Sequence, residues 1–298
     1  MLDIGVILPS VDVQRREGLD LAAAARHAED AGLDSVWHGD HLAVGRDVLE
    51  STVALAAAAT ATRRITIGTS VFVPALRPLA WAAKQIASLT WISGGRLVLG
   101  VGSGGGPEQW AAAGVPYAER GPRTDAALGL LPDLLAGKAV TLPHVEGTPT
   151  VRLEPATEVP PIWVGNASAV ALRRAARHGD GWFPSLIGPQ EVAGGVRSLR
   201  ELRPVGRLPL TVAVGATGTF GDSDDRPSRE QMAQGISRAY GRPLDEVLDI
   251  PLAGPPAEVA EHLARYADAG AHHVVVGLAG GGWRGQCSAL AEVRSLLS

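Results

Sequence analysis

The segment His38-Gly39-Asp40-His41 places two imidazoles and a carboxylate within four residues, directly after a short apolar run. Such groups could bind a metal, work as an acid/base pair or tie down a loop. A metal site would need further His or carboxylate ligands around an open position. The ends of the other apolar runs offer Gly165-Asn166, Trp182-Phe183-Pro184 and Gly277-Leu278-Ala279 instead. His272 and His273 open their run, while His27, His178 and His262 fall within helical patterns. The ligand count therefore argues against a metal. It leaves Asp40 and His41 as an acid/base or cofactor-facing pair or as loop ties, with His38 read as an inward-pointing, satisfied polar residue.

Three further segments carry chemistry. Gly100-Val101-Gly102-Ser103-Gly104-Gly105-Gly106-Pro107-Glu108 is superficially a dinucleotide fingerprint. That fingerprint opens straight into a phosphate-holding helix, and Pro107, with no clear helix behind it, argues otherwise. Glycine permits close approach, so Gly102, Ser103, Gly104 and Gly105 read better as a loop on which a flat ligand lies. Gly165-Asn166-Ala167-Ser168 leads directly into a helical pattern, whose unpaired N–H groups make an anion or phosphate site; Asn or Ser there also serves as an ordinary N-cap. Gly68-Thr69-Ser70-Val71 ends a third run with small polar residues that can line a pocket floor. Trp182, at a strand end, is read either as packing on a planar cofactor or as burying apolar area. Trp81 and Trp91 are read as packing residues, and the lone Cys287 as a passive thiol outside any disulfide.

The elements that must position these groups alternate from end to end. Strands are predicted at Leu2–Leu8, Ser35–His38, Ile65–Val71, Leu97–Val101, Ile162–Val164, Gly181–Pro184, Leu208–Val214 and Val274–Gly277. Most are continuous apolar runs, as strands covered on both faces should be. Helices are predicted at Leu19–Ala31, Thr52–Thr62, Ala80–Trp91, Arg123–Leu135, Ala169–His178, Gln190–Leu202, Pro256–Ala269 and Ser288–Leu297, with Gly32 and Gly270 as C-terminal caps. Eight such units predict a (β/α)8 TIM barrel in one domain, residues 1–298. Lys138–Pro161 and Gly218–Pro255 would be insertions on the C-terminal rim, where barrels carry their function.

Composition narrows the partners. The 298 residues are 46% hydrophobic and 19% charged, which suits a large core. A net charge of -4 without basic clusters excludes a nucleic-acid backbone as partner. The longest low-polarity stretch, Thr52 to Thr62, is far short of the ~20 residues of a membrane span. Asp3 near the start, with no basic n-region, argues against a signal peptide, so a cytoplasmic location is expected.

The segments AEDAGLDSVWHGDHL, RITIGTSVFVPALRPLAWAAKQIASLTWISGGRLVLGVGSGG, PIWVGNASAVALRRAARHGDGWFP and GPPAEVAEHLARYADAGAHHVVVG, in this order and spacing, resemble the bacterial luciferase-like monooxygenase superfamily. These are flavin- and deazaflavin-dependent (β/α)8 barrels, and the resemblance spans essentially the whole chain. It implies a flavin or deazaflavin ring over the barrel mouth, with Asp40 and His41 as a cofactor- or substrate-facing pair and a non-prolyl cis peptide at Ser70–Val71. It also implies phosphate contacts on Gly165–Ser168 and ring or side-chain contacts along Ser103–Gly105. Two departures stand out: Gln109 occupies the place where relatives carry a Glu before an aromatic, with Glu108 displaced by one, and Arg77-Pro78-Leu79 replaces an Arg-His-Pro-like turn.

The compact chain, the Asp-His pair and a strong Arg bias, with Lys only at 84 and 138, favour coenzyme F-420 over FMN. The implied function is hydride transfer between F-420 and a small organic substrate, with His41 orienting or protonating near the ring and Asp40 polarising it. The alternatives are an FMN-dependent monooxygenase fed by a separate flavin reductase and a non-catalytic flavin-binding barrel. Resemblance also implies a homodimer.

Overall fold

A computed structural model describes residues 2–45, 47–143, 145–221 and 226–297. Eight parallel strands close on themselves: β1 (Asp3–Ile7), β2 (Ser35–His38), β3 (Thr66–Thr69), β4 (Leu97–Val101), β5 (Ile162–Gly165), β6 (Gly181–Phe183), β7 (Thr211–Thr219) and β8 (His273–Leu278). Each pairs with its neighbours in chain order, β6 pairs with β7, and β8 returns to β1. The intervening helices are α1 (Leu21–Ala31), α2 (Ser51–Ala61), α3 (Leu79–Ile92), α4 (Arg120–Leu135), α5 (Ala169–His178), α6 (Pro189–Leu202), α7 (Pro256–Asp268) and α8 (Trp283–Ser295). This is the expected (β/α)8 barrel. Among the described residues no helix is long and apolar enough to cross a membrane.

Differences from the sequence reading have local causes. Helix α1 starts at Leu21 because the Asp20 carboxylate caps it, accepting from the Ala23 N–H at 2.6 Å. Gly32 ends it in the left-handed conformation, φ 90°. Strand β7 starts only after Pro209, which has no N–H for a ladder. It continues through the small residues Gly215–Thr219, paired with β8 as far as Gly218↔Leu278. The insertion 138–161 contains a short antiparallel pair, Val140–Thr141 with Thr150–Val151. The insertion 218–255 is more ordered than its Asp, Arg, Gly and Pro content suggests: Ser228 and Gln231 form a capping box that starts a helix over Arg229–Tyr240. Its strand Leu252–Ala253 pairs in parallel alongside the end of β7, Leu252 beside Gly218 and Ala253 beside Thr219.

The barrel interior is filled by Trp37 from β2, Trp163 from β5 and Phe183 from β6. The two indoles stack at 5.4 Å between centroids. Their volume dictates glycine on the facing strands: a Cβ at Gly68 would stand 2.2 Å from the Trp37 ring, and one at Gly181 2.4 Å from Trp163. Below them, Trp37 Nε1 donates to Ser35 Oγ at 2.6 Å, and His273 Nε2 lies 2.7 Å from the same oxygen. His272 and His273 thus sit on the N-terminal rim, opposite the functional face, as expected. The reading of Trp81 and Trp91 as packing residues does not hold within this chain. They are 67% and 69% exposed on α3, because its inward face is already filled by Ala82, Ala83, Ile86 and Leu89.

Two buried histidines set a pH dependence. Burial pushes His273 down to about 4, and burial, aided by Arg265 and Arg229, pushes His262 on α7 down to about 4. Each takes up a proton near 6.5 when unfolded, so the unfolded chain binds more protons between those values and stability falls as pH falls through this window. Urea unfolding midpoints should be level above pH 7 and decline steadily from pH 6.5 towards 4. His262→Gln should shallow that decline, and an unchanged slope would contradict the assignment.

Candidate active site

The C-terminal strand ends enclose two adjoining cavities that share Ile7 and Gly277. The central one, about 280 Å³, is lined by Ser70, Val71, Gly165, Asn166, Phe183 and Ser185 among others. The second, about 260 Å³, is lined by His38, Gly39, His41, Leu49 and Trp283 with the turn Pro9–Ser10. A larger groove of about 390 Å³ lies to the side, under Pro74–Leu79 and against Ala126, Ala127 and Leu142. Its walls are mainly aliphatic and it does not touch the strand ends, so the mouth is the better candidate.

The floor of the mouth is the Val71 side chain. The Ser70–Val71 peptide is cis, as the resemblance implied. A Cβ at Gly102 would meet Val71 Cγ2 at 2.4 Å, and one at Gly100 or Gly165 would meet Cγ1 at 3.2 Å. Gly102 is therefore required by Val71 rather than by a ligand, which corrects part of the loop reading. Gly104, at φ 63°, faces Val73 and Trp110, whereas nothing stands within 4 Å of a Cβ at Gly105. Pro107 does open a short helix, Pro107–Ala112. From it the Gln109 amide accepts from the Leu42 N–H at 3.0 Å and donates to Gly105 O at 3.4 Å. Gln109 cannot supply a proton as a carboxylic acid would; it fastens the β2 loop to the glycine loop. Glu108 points to solvent.

The motif after β2 divides in two. Asp40 is buried; its Oδ2 accepts from the Val73 N–H at 2.9 Å and from Arg77 Nη2 at 2.6 Å. Arg77 lies 4.5 Å above the Phe72 ring and reaches Gln85 and Glu50 with its other nitrogen. Asp40 is thereby committed to strapping the β2 loop to the segment after β3, and the expected direct role facing the ligand gives way to a positioning one. His41 is half-buried and lines the second cavity. Its ring lies over Gly39, where a Cβ would come within 3.0 Å of Nε2. His38 is buried with Nδ1 2.9 Å from Gly39 O, and burial lowers its pKa. That matches the inward, satisfied reading.

At the end of β5, Asn166 has φ 80° and its Oδ1 accepts from the Ser168 N–H at 2.8 Å. Ser168 caps α5, accepting from the Ala171 N–H at 3.3 Å. Asn166, Ala167 and Ser168 are exposed beside the mouth, so both readings of this segment coexist: a capped helix start that still presents N–H groups. Ser103, across from it, accepts from Arg174 Nη1 at 2.9 Å. Trp182 is a correction. It is 1% exposed, its Nε1 donates to Asn166 O at 2.9 Å, and its ring fills the space over Gly195 on α6. Successive strand residues face opposite ways, so Phe183, not Trp182, reaches the cavity. Burial raises the Cys287 thiol to about 12 and keeps it inert.

Sequence reasoning did not find the structural parts of Arg77, Gln109 and Arg174, or Ser185 in the cavity wall. Among the described residues, no three His, Cys, Asp or Glu side chains gather as a ligand set.

The sequence profile of the luciferase-like monooxygenases matches residues 10–242. An F-420-dependent glucose-6-phosphate dehydrogenase from Beutenbergia cavernae is 37% identical over 178 residues, 55% of this chain and 52% of that protein. The chain spans about half the length of such curated relatives. Among solved structures, an F-420-dependent secondary alcohol dehydrogenase in complex with an F-420-acetone adduct superposes with a TM-score of 0.80 at 18% identity, covering 100% of this chain and 99% of that one. The FMN-bound oxygenating constituent of 3,6-diketocamphane monooxygenase from Pseudomonas putida does so with 0.76 at 18% identity, covering 99% and 97%. At that identity the superpositions speak for the fold alone, but the profile covers most of the chain: the protein belongs to the luciferase-like monooxygenase family.

Proposed function

We propose that this chain is an oxidoreductase that uses coenzyme F-420 to transfer hydride to or from a small organic substrate. The observation that carries the reading is the mouth itself. Its wall holds Ser70, whose Oγ is buried and has no hydrogen-bond partner within the protein, and a start of α5 that presents N–H groups lies beside it. An unpartnered buried hydroxyl costs free energy unless a ligand completes it, and a flat ring with polar edges and an anionic tail supplies both missing partners. The residues present thus fit a deazaflavin or flavin.

Val71 would back the ring, Ser70 would hydrogen-bond its edge, and Ser103, Gly105 and Asn166–Ser168 would hold the tail. The bound deazaflavin would supply a carbon that gives or takes hydride. His41, lining the adjoining cavity, would hold or release the proton that accompanies hydride transfer at a substrate oxygen. Asp40 and Arg77 keep its loop in place. The F-420-dependent relatives favour this cofactor. The superposition with an FMN-bound oxygenating protein supports a second reading, a monooxygenase supplied by a separate flavin reductase. Apoprotein titrated with each should bind F-420 more tightly than FMN; FMN selectivity with oxygen consumption would establish the second reading instead.

The division of labour within the motif gives opposite signatures. His41→Ala should lower turnover by about a hundredfold or more with cofactor affinity and unfolding midpoint nearly unchanged. Asp40→Asn should cost on the order of 3 kcal/mol of stability by stranding Arg77, seen in denaturant midpoints. Equal stability of the two variants would refute the division.

We also propose a homodimer through α2 and α3. Helix α2 is alanine-rich and leaves Val53 67% exposed, and neighbouring α3 exposes Trp81, Trp91 and Ile92. Large indoles beside an alanine-rich surface are self-complementary under a two-fold axis. Light scattering should give twice the chain mass, and Trp81→Arg with Trp91→Arg should give a folded monomer; a monomeric wild type would overturn this.

A further inference from the structure

The second cavity of the mouth, about 260 Å³, adjoins the central one at Ile7 and Gly277, and its walls are held firmly. One wall is Trp283, the first residue of α8, only 3% exposed. The Glu17 carboxylate accepts from the Gly282 N–H at 2.9 Å and from the Trp283 N–H at 2.9 and 3.1 Å. The indole Nε1 donates to Ile7 O at 3.1 Å. A carboxylate is favourable at a helix N-terminus, and this one ties α8 to the short helix Val11–Glu17 that follows β1. Gly18 ends that helix in the left-handed conformation, φ 58°, and its Val11 and Val13 supply a second wall.

The lining is mainly apolar. Leu8, Val11, Val13, Leu49, Leu278 and Trp283 surround the imidazoles of His38 and His41. Of the other polar side chains, Gln14 is turned to Pro9 O at 3.0 Å. Among the described residues of the lining the one carboxylate is Asp47, and it is paired with Arg15. A charged ligand would lose water here without a free opposite charge to replace it, whereas each methylene buried against these walls is favourable.

We propose that this cavity holds the substrate, and that the substrate is an uncharged alcohol, or the matching carbonyl compound, with a compact apolar body whose size is limited by Trp283. The inference rests on the proposed F-420 reading and deepens it. Oxidation breaks the C–H and O–H bonds of the alcohol carbon and its hydroxyl. The hydrogen leaves carbon as hydride, with its electron pair, for oxidised F-420 in the central cavity; the hydroxyl proton passes to a His41 ring nitrogen, and a C=O group remains. Reduction of the carbonyl runs the same steps backwards. The imidazole needs one polar atom of the substrate beside it, and the remainder of the molecule meets leucine, valine and tryptophan side chains.

The test measures kcat and KM for F-420 reduction by propan-2-ol, cyclohexanol and cyclooctanol, which share one reacting centre and differ in apolar bulk, and by glucose 6-phosphate as a charged polyol. In the wild type kcat/KM should rise about thirtyfold from propan-2-ol to cyclohexanol and fall again at cyclooctanol, with glucose 6-phosphate below all three. Trp283→Phe keeps an aromatic wall but a smaller one, and should raise kcat/KM for cyclooctanol relative to cyclohexanol about tenfold. Leu49→Trp, at a position 40% exposed, narrows the cavity and should raise KM for cyclohexanol about tenfold with a much smaller change in kcat. Fluorescence titration with F-420 reports that each variant is folded. A wild type that binds F-420 but prefers glucose 6-phosphate, ignores alcohol size or oxidises none of the alcohols would overturn the substrate class and leave the cofactor reading standing. Unchanged size profiles in the folded variants would overturn the choice of cavity. A wild type that does not bind F-420 would overturn the cofactor reading, and the substrate pocket with it.

Discussion

One side chain organises the mouth of this barrel. Val71 enters from the end of β3 and occupies the space that a side chain just after β4 would need, its Cγ2 2.4 Å from a Cβ at Gly102. It also crowds Gly100 and Gly165 at 3.2 Å, while Thr69 O, 2.1 Å from a Cβ at Gly100, excludes a side chain there outright. The same chain segment stitches the loops together: the Phe72 N–H donates to Gly100 O at 2.7 Å, and the Gly102 N–H to Phe72 O at 2.9 Å. Close packing tolerates little change in volume at such a point. The glycine loop is therefore first a packing solution, and its openness towards a ligand at Gly105 is what remains once Val71, Val73 and Trp110 have been accommodated.

The charged side chains around the mouth work in the same indirect way. Asp40 with Arg77, and Asp125 with Arg174, are ion pairs whose partners come from different βα units. Each pair points a hydrogen bond at a loop rather than a bare charge at the cavity. Pairing limits the cost of burying Asp40, which alone would be severe. What lines the cavities is then mainly apolar side chains, backbone and hydroxyls, with the His38 and His41 imidazoles and the Asp47 carboxylate on the second cavity alone.

How far the sequence could be read follows from the range of the interactions. Elements defined by local signals emerged with little error: β2 and β4 have the predicted bounds, as does α5, where Ser168 marks the start and Gly179 the end. Ser168 was legible as the start of α5 because an N-cap is itself a local feature. Trp182 was left between a cofactor-packing and a core reading because strands buried on both faces lack the alternation that tells inside from outside. Neither neighbour of such a pair is polar, and only the register with Gly165 and the space over Gly195 puts Phe183 inward. Arg77 and Arg174 act on partners 37 and 71 residues away, so no spacing rule could have found them.

The same contrast explains why the fold was easier to read than the chemistry. A (β/α)8 barrel repeats one local pattern eight times, and errors at single boundaries leave the architecture intact. The site uses one residue from each of several units, chosen by contacts that exist only after closure. His41 illustrates the point: within the motif it is equivalent to Asp40 as a candidate acid or base, and only Arg77, arriving from the next unit, takes Asp40 out of contention and leaves the imidazole on the cavity wall. The chemistry of the motif is thus decided by a residue outside it, and an acid/base role read from His38–His41 alone belongs to the loop until the strap that divides its members is in view.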